Sequence, residues 1–189
     1  MPQRNGHTDQ PPPARSLSTF LESVPVTIRY VFYTVVFLSL LLVGLPWLAY
    51  QIDVYVPSLH IEIGRPGRMI GVVVFVVFLI AYLLSSRLLT SRGRGGDVEF
   101  DPPREFVACG IYRWVRNPIA GSAVLMLLGE SLIFSSTGIL LLFLLAIIVA
   151  HLQVTLLEEP LLRKRFGTSY TAYLDRVPRW IPRRPRGSD

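Results

Sequence analysis

Four stretches of this chain stay apolar for about 20 residues at a time, and that length decides its class. At ~1.5 Å rise per residue, such a stretch matches the ~30 Å hydrocarbon core of a bilayer. The spans fall at residues 30–50, 69–89, 119–135 and 138–157, the third being the shortest. Only 17% of the 189 residues are charged, and the mean hydropathy is +0.44. A disordered tail protein, a soluble nucleotide-binding domain and a disulfide scaffold are excluded on these grounds. Cys109 stands alone, so an intramolecular disulfide or a cysteine-based zinc site cannot form. The expected fold is an all-α integral membrane protein: four transmembrane helices, a C-terminal helical hairpin and short cytoplasmic amphipathic helices.

The flanking charge orients the spans. The chain carries 19 Lys+Arg against 13 Asp+Glu, and Lys164 is its single lysine. Three arginines precede the first span and two lie in the first loop. Six run from the end of the second span (Arg87) through the second loop to Arg116, none lies in the turn at Ser135-Ser136-Thr137, and eight basic residues follow Leu157. The positive-inside rule places both termini and the second loop in the cytoplasm, with a bacterial inner membrane as the expected location. Nucleic-acid binding is a poor reading of the charge, because no recognition motif accompanies it. The short turn makes spans three and four an antiparallel hairpin.

The chain divides into a polar tail (1–16), an interfacial helix with the first two spans (17–104), a candidate catalytic region (105–182) and a basic tail (183–189). An amphipathic stretch at 17–29 is expected to lie along the interface. Pro46 should kink the first span, and Pro160 should break the fourth and start a new helix. That helix should end at Gly167, and Thr168 should cap another with Tyr170, Tyr173, Leu174 and Val177 on one face.

Soluble-enzyme signatures are absent, and His7, His60 and His151 are too dispersed for a metal site, so no metal is expected. Two polar constellations remain, both at the cytoplasmic ends of spans three and four. The first is Gly110 to Pro118, which contains Tyr112, Arg113, Arg116 and Asn117. Asn117-Pro118 reads as a helix cap and first helical residue. A helix start exposes free N–H groups and positive partial charge, which suits a carboxylate or phosphate. An interfacial belt of aromatic and basic residues is the competing structural reading. The second is His151, Thr155, Glu158 and Glu159, a polar stripe entering an apolar helix. Glu130, in the third span, is expected to snorkel to the external face or to make a structural hydrogen bond.

These constellations and the C-terminal segment resemble the isoprenylcysteine carboxyl methyltransferase and phospholipid methyltransferase family. The pattern runs G-x-Y-x-x-x-R-(H/N)-P, then a helical hairpin, E-E, F-G-x-x-Y-x-x-Y and V-P-R-x-x-P. Here it reads Gly110, Tyr112, Arg116-Asn117-Pro118, Glu158-Glu159, Phe166-Gly167, Tyr170, Tyr173, Val177-Pro178-Arg179 and Pro182. Asn117 stands where many members have histidine, and Ala120 where an aromatic is common.

The resemblance implies S-adenosyl-L-methionine as methyl donor and a lipophilic acceptor, a carboxylate or an amine, arriving from the bilayer. Among the implied donor-site residues, Arg116 with the helix start at Asn117 and Pro118 takes the donor carboxylate. Glu158 or Glu159 takes its ribose hydroxyls or ammonium, Tyr170 and Tyr173 close over adenine and sulfonium, and Tyr112 and Gly121 complete the site. Arg113 or Arg163 would orient a carboxylate acceptor, whereas Glu159 or His151 would help deprotonate an amine. Two other classes fit the same topology: a membrane reductase with a nicotinamide cofactor, and a non-catalytic scaffold that kept the fold.

Overall fold

The computed structural model describes residues 24–57, 62–93 and 104–184, which are all-helical with no strand among the described residues. Helix α1 (Val26–Ser39) runs through a π-helical turn (Leu40–Gly44) into α2 (Leu45–Tyr55), and α3 (Arg65–Gly93) returns. A 3-10 turn (Gly110–Arg113) precedes α4 (Pro118–Phe134), and α5 (Thr137–Gln153) passes through a second π-helical turn (Val154–Glu158) into α6 (Glu159–Arg176). Three of these runs are long and apolar enough to cross a membrane, and α4 is a shorter apolar helix beside them. The protein is therefore an integral membrane protein. The tail at 1–16, most of the interfacial stretch, His7, His60 and the acidic half of the second loop lie outside the described residues. From Val26 onward the expected interfacial stretch is already part of α1.

The fourth span does not break at Pro160. The helix runs on through Pro160 and ends where expected, at the non-helical Gly167 (φ 54°, ψ -128°), beyond which a second helical segment continues α6 to Arg176. The same device handles both prolines. Pro46 and Pro160 each sit two residues past a π-helical turn, in which the N–H of Leu45 donates to Leu40 O and that of Glu159 to Val154 O. Widening the turn by one residue moves carbonyls away from the proline ring and absorbs the missing N–H without ending the helix. At ~1.5 Å per residue the run from Thr137 to Phe166 is ~45 Å long, more than the bilayer core, so everything past about Leu157 projects beyond it.

Two close backbone approaches lock the bundle. Antiparallel α3 and α4 cross at Gly71 and Gly129, where a Cβ on Gly71 would fall 2.8 Å from the Gly129 carbonyl oxygen. Gly138, in the first turn of α5, abuts α2 closely enough that a Cβ there would fall 1.9 Å from Ala49 O. Small residues at such crossings let dispersion contacts and interhelical hydrogen bonds replace the hydrophobic drive that lipid cannot supply. Tyr82, Ala123 and Met126 form the core beside them, with Phe37 stacked on Tyr82 at 5.9 Å.

The expected hairpin turn is present, with Ser135 left-handed (φ 53°) and the Ser136 hydroxyl accepting from Ile139 N at 3.0 Å. Its main anchor comes from elsewhere in the chain. The Asp53 carboxylate, at the end of α2, accepts from the Ser136 hydroxyl and from the N–H groups of Thr137 (3.0 Å) and Gly138 (3.2 Å). It therefore caps α5 across the bundle. Arg68 Nε donates to Ser135 Oγ at 3.2 Å alongside. Glu130 does not snorkel: it is 4% exposed, and its Oε2 is buried without a hydrogen bond.

Candidate active site

The opposite end of the bundle gathers both polar constellations. Loop residues 104 and 105 close the end of α3, their N–H groups donating to Gly93 O at 2.6 and 3.0 Å. This sets Phe106 against the rings of Phe166, Tyr170 and Tyr173, with centroids 5.5, 5.9 and 5.2 Å away. The helical face expected at Tyr170, Tyr173, Leu174 and Val177 is the one that packs here. The Tyr173 hydroxyl donates to Tyr112 O at 2.7 Å, and the Tyr112 hydroxyl to Ser85 O at 3.4 Å. All three tyrosines are buried. Burial, with the nearby Glu159 charge, pushes the Tyr170 phenol up to about 12, and Tyr173 is raised too. Both phenols stay protonated, and that of Tyr173 acts as a donor.

Above this floor, residues 177–184 fold back as a strap along residues 114–116. Arg116 N donates to Pro178 O at 2.9 Å and Arg183 N to Trp114 O at 3.1 Å. Asn117 starts α4 but does not cap it. Its side-chain amide donates instead to Arg179 O at 3.4 Å. The strap delivers Arg179 to Glu159, with Nε on Oε1 at 2.7 Å and Nη2 on Oε2 at 3.0 Å, a side-on fork. Arg116 Nη1 reaches the same Oε1 at 3.1 Å, while Arg116 Nε is buried and makes no hydrogen bond. Glu159, 7% exposed, is thus shared by two arginines.

Burial alone favours the neutral Glu159 carboxyl. The Arg179 hydrogen bonds and the charges of Arg116, Arg179 and Arg163 outweigh it and hold Glu159 below the usual carboxylate range. Glu158 goes the other way. Burial raises it, a hydrogen bond from Gln153 opposes the rise, and the Glu159 charge adds to it. A depressed folded-state value stabilises the protein above the unfolded carboxylate value of about 4.3, and this stability drains away as pH falls through the folded value. Denaturation midpoints should therefore fall on acidification below about pH 4. Subtracting the profile of Glu159→Gln isolates this component, and identical acid limbs in the two proteins would remove Glu159 as its source.

Of the expected site residues, Arg116 and Glu159 meet directly, Asn117 bonds the strap at Arg179 O, and Pro118 starts the helix beside them. Glu158 is half-buried and spends Oε1 on Gln153 Nε2 at 3.2 Å. Gly121 borders open space, since a Cβ built on it meets nothing within 4 Å. Arg163 is exposed and acts on Glu159 through charge alone, and Arg113 is exposed on the 3-10 turn. His151 is exposed on α5, where its Nδ1 accepts from Trp180 Nε1 at 3.2 Å. Two contributors carried no assigned role in the sequence. Arg179 lay in a motif that gave no partner for it, and Phe106 is a lone loop aromatic without any pattern.

The fold and site together define a helical integral membrane protein with a carboxylate–arginine cluster at one end. A family model for phospholipid methyltransferases matches residues 67–169, more than half of the chain, and the protein belongs to that family. Membership makes it a membrane methyltransferase. The match runs from the start of α3 into α6, so it contains Arg116 and Glu159 but not Tyr170, Tyr173 or the strap. No curated protein matches the chain, and no solved structure does.

Proposed function

We propose that this protein transfers a methyl group from S-adenosyl-L-methionine to a lipid-like acceptor, an amine or carboxylate, at the cytoplasmic face of a bacterial inner membrane. Both termini are then cytoplasmic, as the arginine distribution favours. One observation carries the donor site: Arg116 holds a buried, unpartnered Nε beside the start of α4. The donor's carboxylate fits there. It would meet Arg116 and the first-turn N–H groups of Ile119 and Ala120, which have no intrahelical acceptor.

Glu158 serves the donor's ammonium or ribose hydroxyls, since Glu159 is already shared by two arginines. Tyr112, Tyr170 and Tyr173 form the packed floor, and the open side of Gly121 gives the donor room. When bound, S-adenosylmethionine supplies an already activated methyl group. The chain's own work is then to align the acceptor and exclude water. Arg113 and Arg163, both exposed at the mouth, attract an acceptor carrying negative charge, and His151 flanks the lipid-facing approach.

Calorimetric binding of S-adenosylmethionine and its demethylated product to detergent-purified protein tests the reading, with micromolar affinity expected. No binding by a folded sample overturns it. Gly121→Leu sharpens the test. Its Cβ meets nothing within 4 Å, the rest of the side chain extends into that open space, and replacing a helical glycine should stabilise by up to ~1 kcal/mol. Donor affinity should fall about tenfold, ~1.4 kcal/mol, in a protein that melts no earlier than wild type. Unaltered affinity would move the donor away from Gly121.

A further inference from the structure

We propose that Arg179 is the positioning residue of the donor site: by forking both oxygens of Glu159, it keeps Arg116 from folding onto that carboxylate and so preserves Arg116 Nε for the donor's carboxylate. This inference rests on the donor-site reading above.

The geometry divides the two arginines unequally. Arg179 uses Nε and Nη2 at 2.7 and 3.0 Å, one on each oxygen of Glu159. Arg116 makes one bond, Nη1 to Oε1 at 3.1 Å. A carboxylate prefers a bidentate partner, and the two guanidinium groups compete for that role. Because Arg179 holds it, Arg116 stays end-on with its Nε uncommitted.

Arg179 can win this competition because it arrives pre-aimed. Backbone bonds at Pro178 and Arg183, the Asn117 amide on Arg179 O, and the Trp180 indole on His151 fix the strap on both sides of it. The Arg179 side chain reaches neither the start of α4 nor the open side of Gly121 in these bonds, so its effect on the donor passes through Glu159 and Arg116. Lysine at 179 keeps the charge but cannot fork. Glu159 Oε2 would then be released, and Arg116 would rotate to bind both oxygens.

The experiment is calorimetry of S-adenosylmethionine on the detergent-purified full chain, with wild type, Arg179→Lys, Glu159→Gln and the double variant, each checked by thermal melting. Arg179→Lys is expected to raise the donor Kd about tenfold while the melting point stays near wild type. In the Glu159→Gln background the same change should shift Kd less than about twofold, because the carboxylate that Arg116 would fold onto is gone. A purely structural role would not produce that loss of coupling. If Arg179→Lys does not fold, Arg179→Gln, which keeps a planar donor without the fork, should show the same rise.

Wild-type binding with an unchanged Kd in the 179 variant overturns the inference and leaves the donor reading intact. So does an equal rise in both backgrounds, which would put Arg179 on the donor itself. Absence of binding by folded wild type overturns the donor reading and this inference with it.

Discussion

Glu159→Ala should cost the protein about 3 kcal/mol of stability and abolish measurable donor binding. The carboxylate lies between two guanidinium groups, and the side chains of Arg116, Glu159 and Arg179 are 13%, 10% and 30% exposed. Removing it leaves two cations facing each other across a water-poor gap. Breaking a buried pair by deleting one partner typically costs 3–5 kcal/mol, and the partial exposure of Arg179 puts the expectation at the lower end. The loss extends beyond the pair. Without Glu159 nothing draws the Arg179 side chain inward, and the strap is left to its backbone bonds, the Asn117 amide and Trp180. Glu159→Gln keeps the shape and some hydrogen bonds and should lose less. Thermal melting in detergent with donor calorimetry on both variants gives the comparison. A wild-type melting point for Glu159→Ala would mean that the arginines do not depend on it.

The sequence showed the membrane spans, because a bilayer imposes a length and every backbone group must be satisfied inside the segment. It showed the hairpin, because Ser135-Ser136-Thr137 interrupts two apolar runs, and it showed the amphipathic face of Tyr170, Tyr173 and Val177, because helical spacing is local. What it hid was pairing across distance. Asp53 is a lone acid at the end of a span, and nothing nearby indicates that it caps α5, 84 residues away in sequence at Thr137. Arg179 was one of eight basic residues after Leu157, and charge counting assigned all eight to orientation. Its partnership with Glu159 depends on the chain reversing after α6, which no periodicity encodes.

Pro160 illustrates the opposite failure. The rule that proline ends a helix is sound for a regular α-turn, but a π-helical turn ahead of it changes the local carbonyl directions. The helix therefore carries Glu158 and Glu159 out of the membrane on a continuous element, and the phase of those two carboxylates is set by that turn. Glu159 faces inward to the arginines and Glu158 is left half-buried beside Gln153. A regular helix would have rotated both by a different amount. The site thus owes its sorting of one structural and one available carboxylate to a backbone irregularity, not to the side chains themselves.

The largest effect away from the site belongs to Gly138→Ala. A methyl group there would lie 1.9 Å from Ala49 O and 2.8 Å from Ala49 C, with Ile52 Cβ at 3.3 Å. These are mainly backbone atoms of a membrane-spanning helix, so the clash cannot be relieved by a side-chain rotation; α2 and α5 must separate. Overpacking of this kind costs about 1–3 kcal/mol. Separation also lengthens the bonds from Thr137 N and Gly138 N to Asp53, and losing a helix cap adds about 1 kcal/mol. The total is about 3 kcal/mol, although alanine is the better helix former by up to ~1 kcal/mol. Gly121→Ala is the matched control. It adds the same methyl in a neighbouring helix where nothing lies within 4 Å, and it should hold or raise the melting point. Melting curves for the two variants in one detergent decide the matter. Equal stability would mean that α2 and α5 do not approach as closely as Gly138 permits, and Asp53 would then lose its place as the anchor of the hairpin.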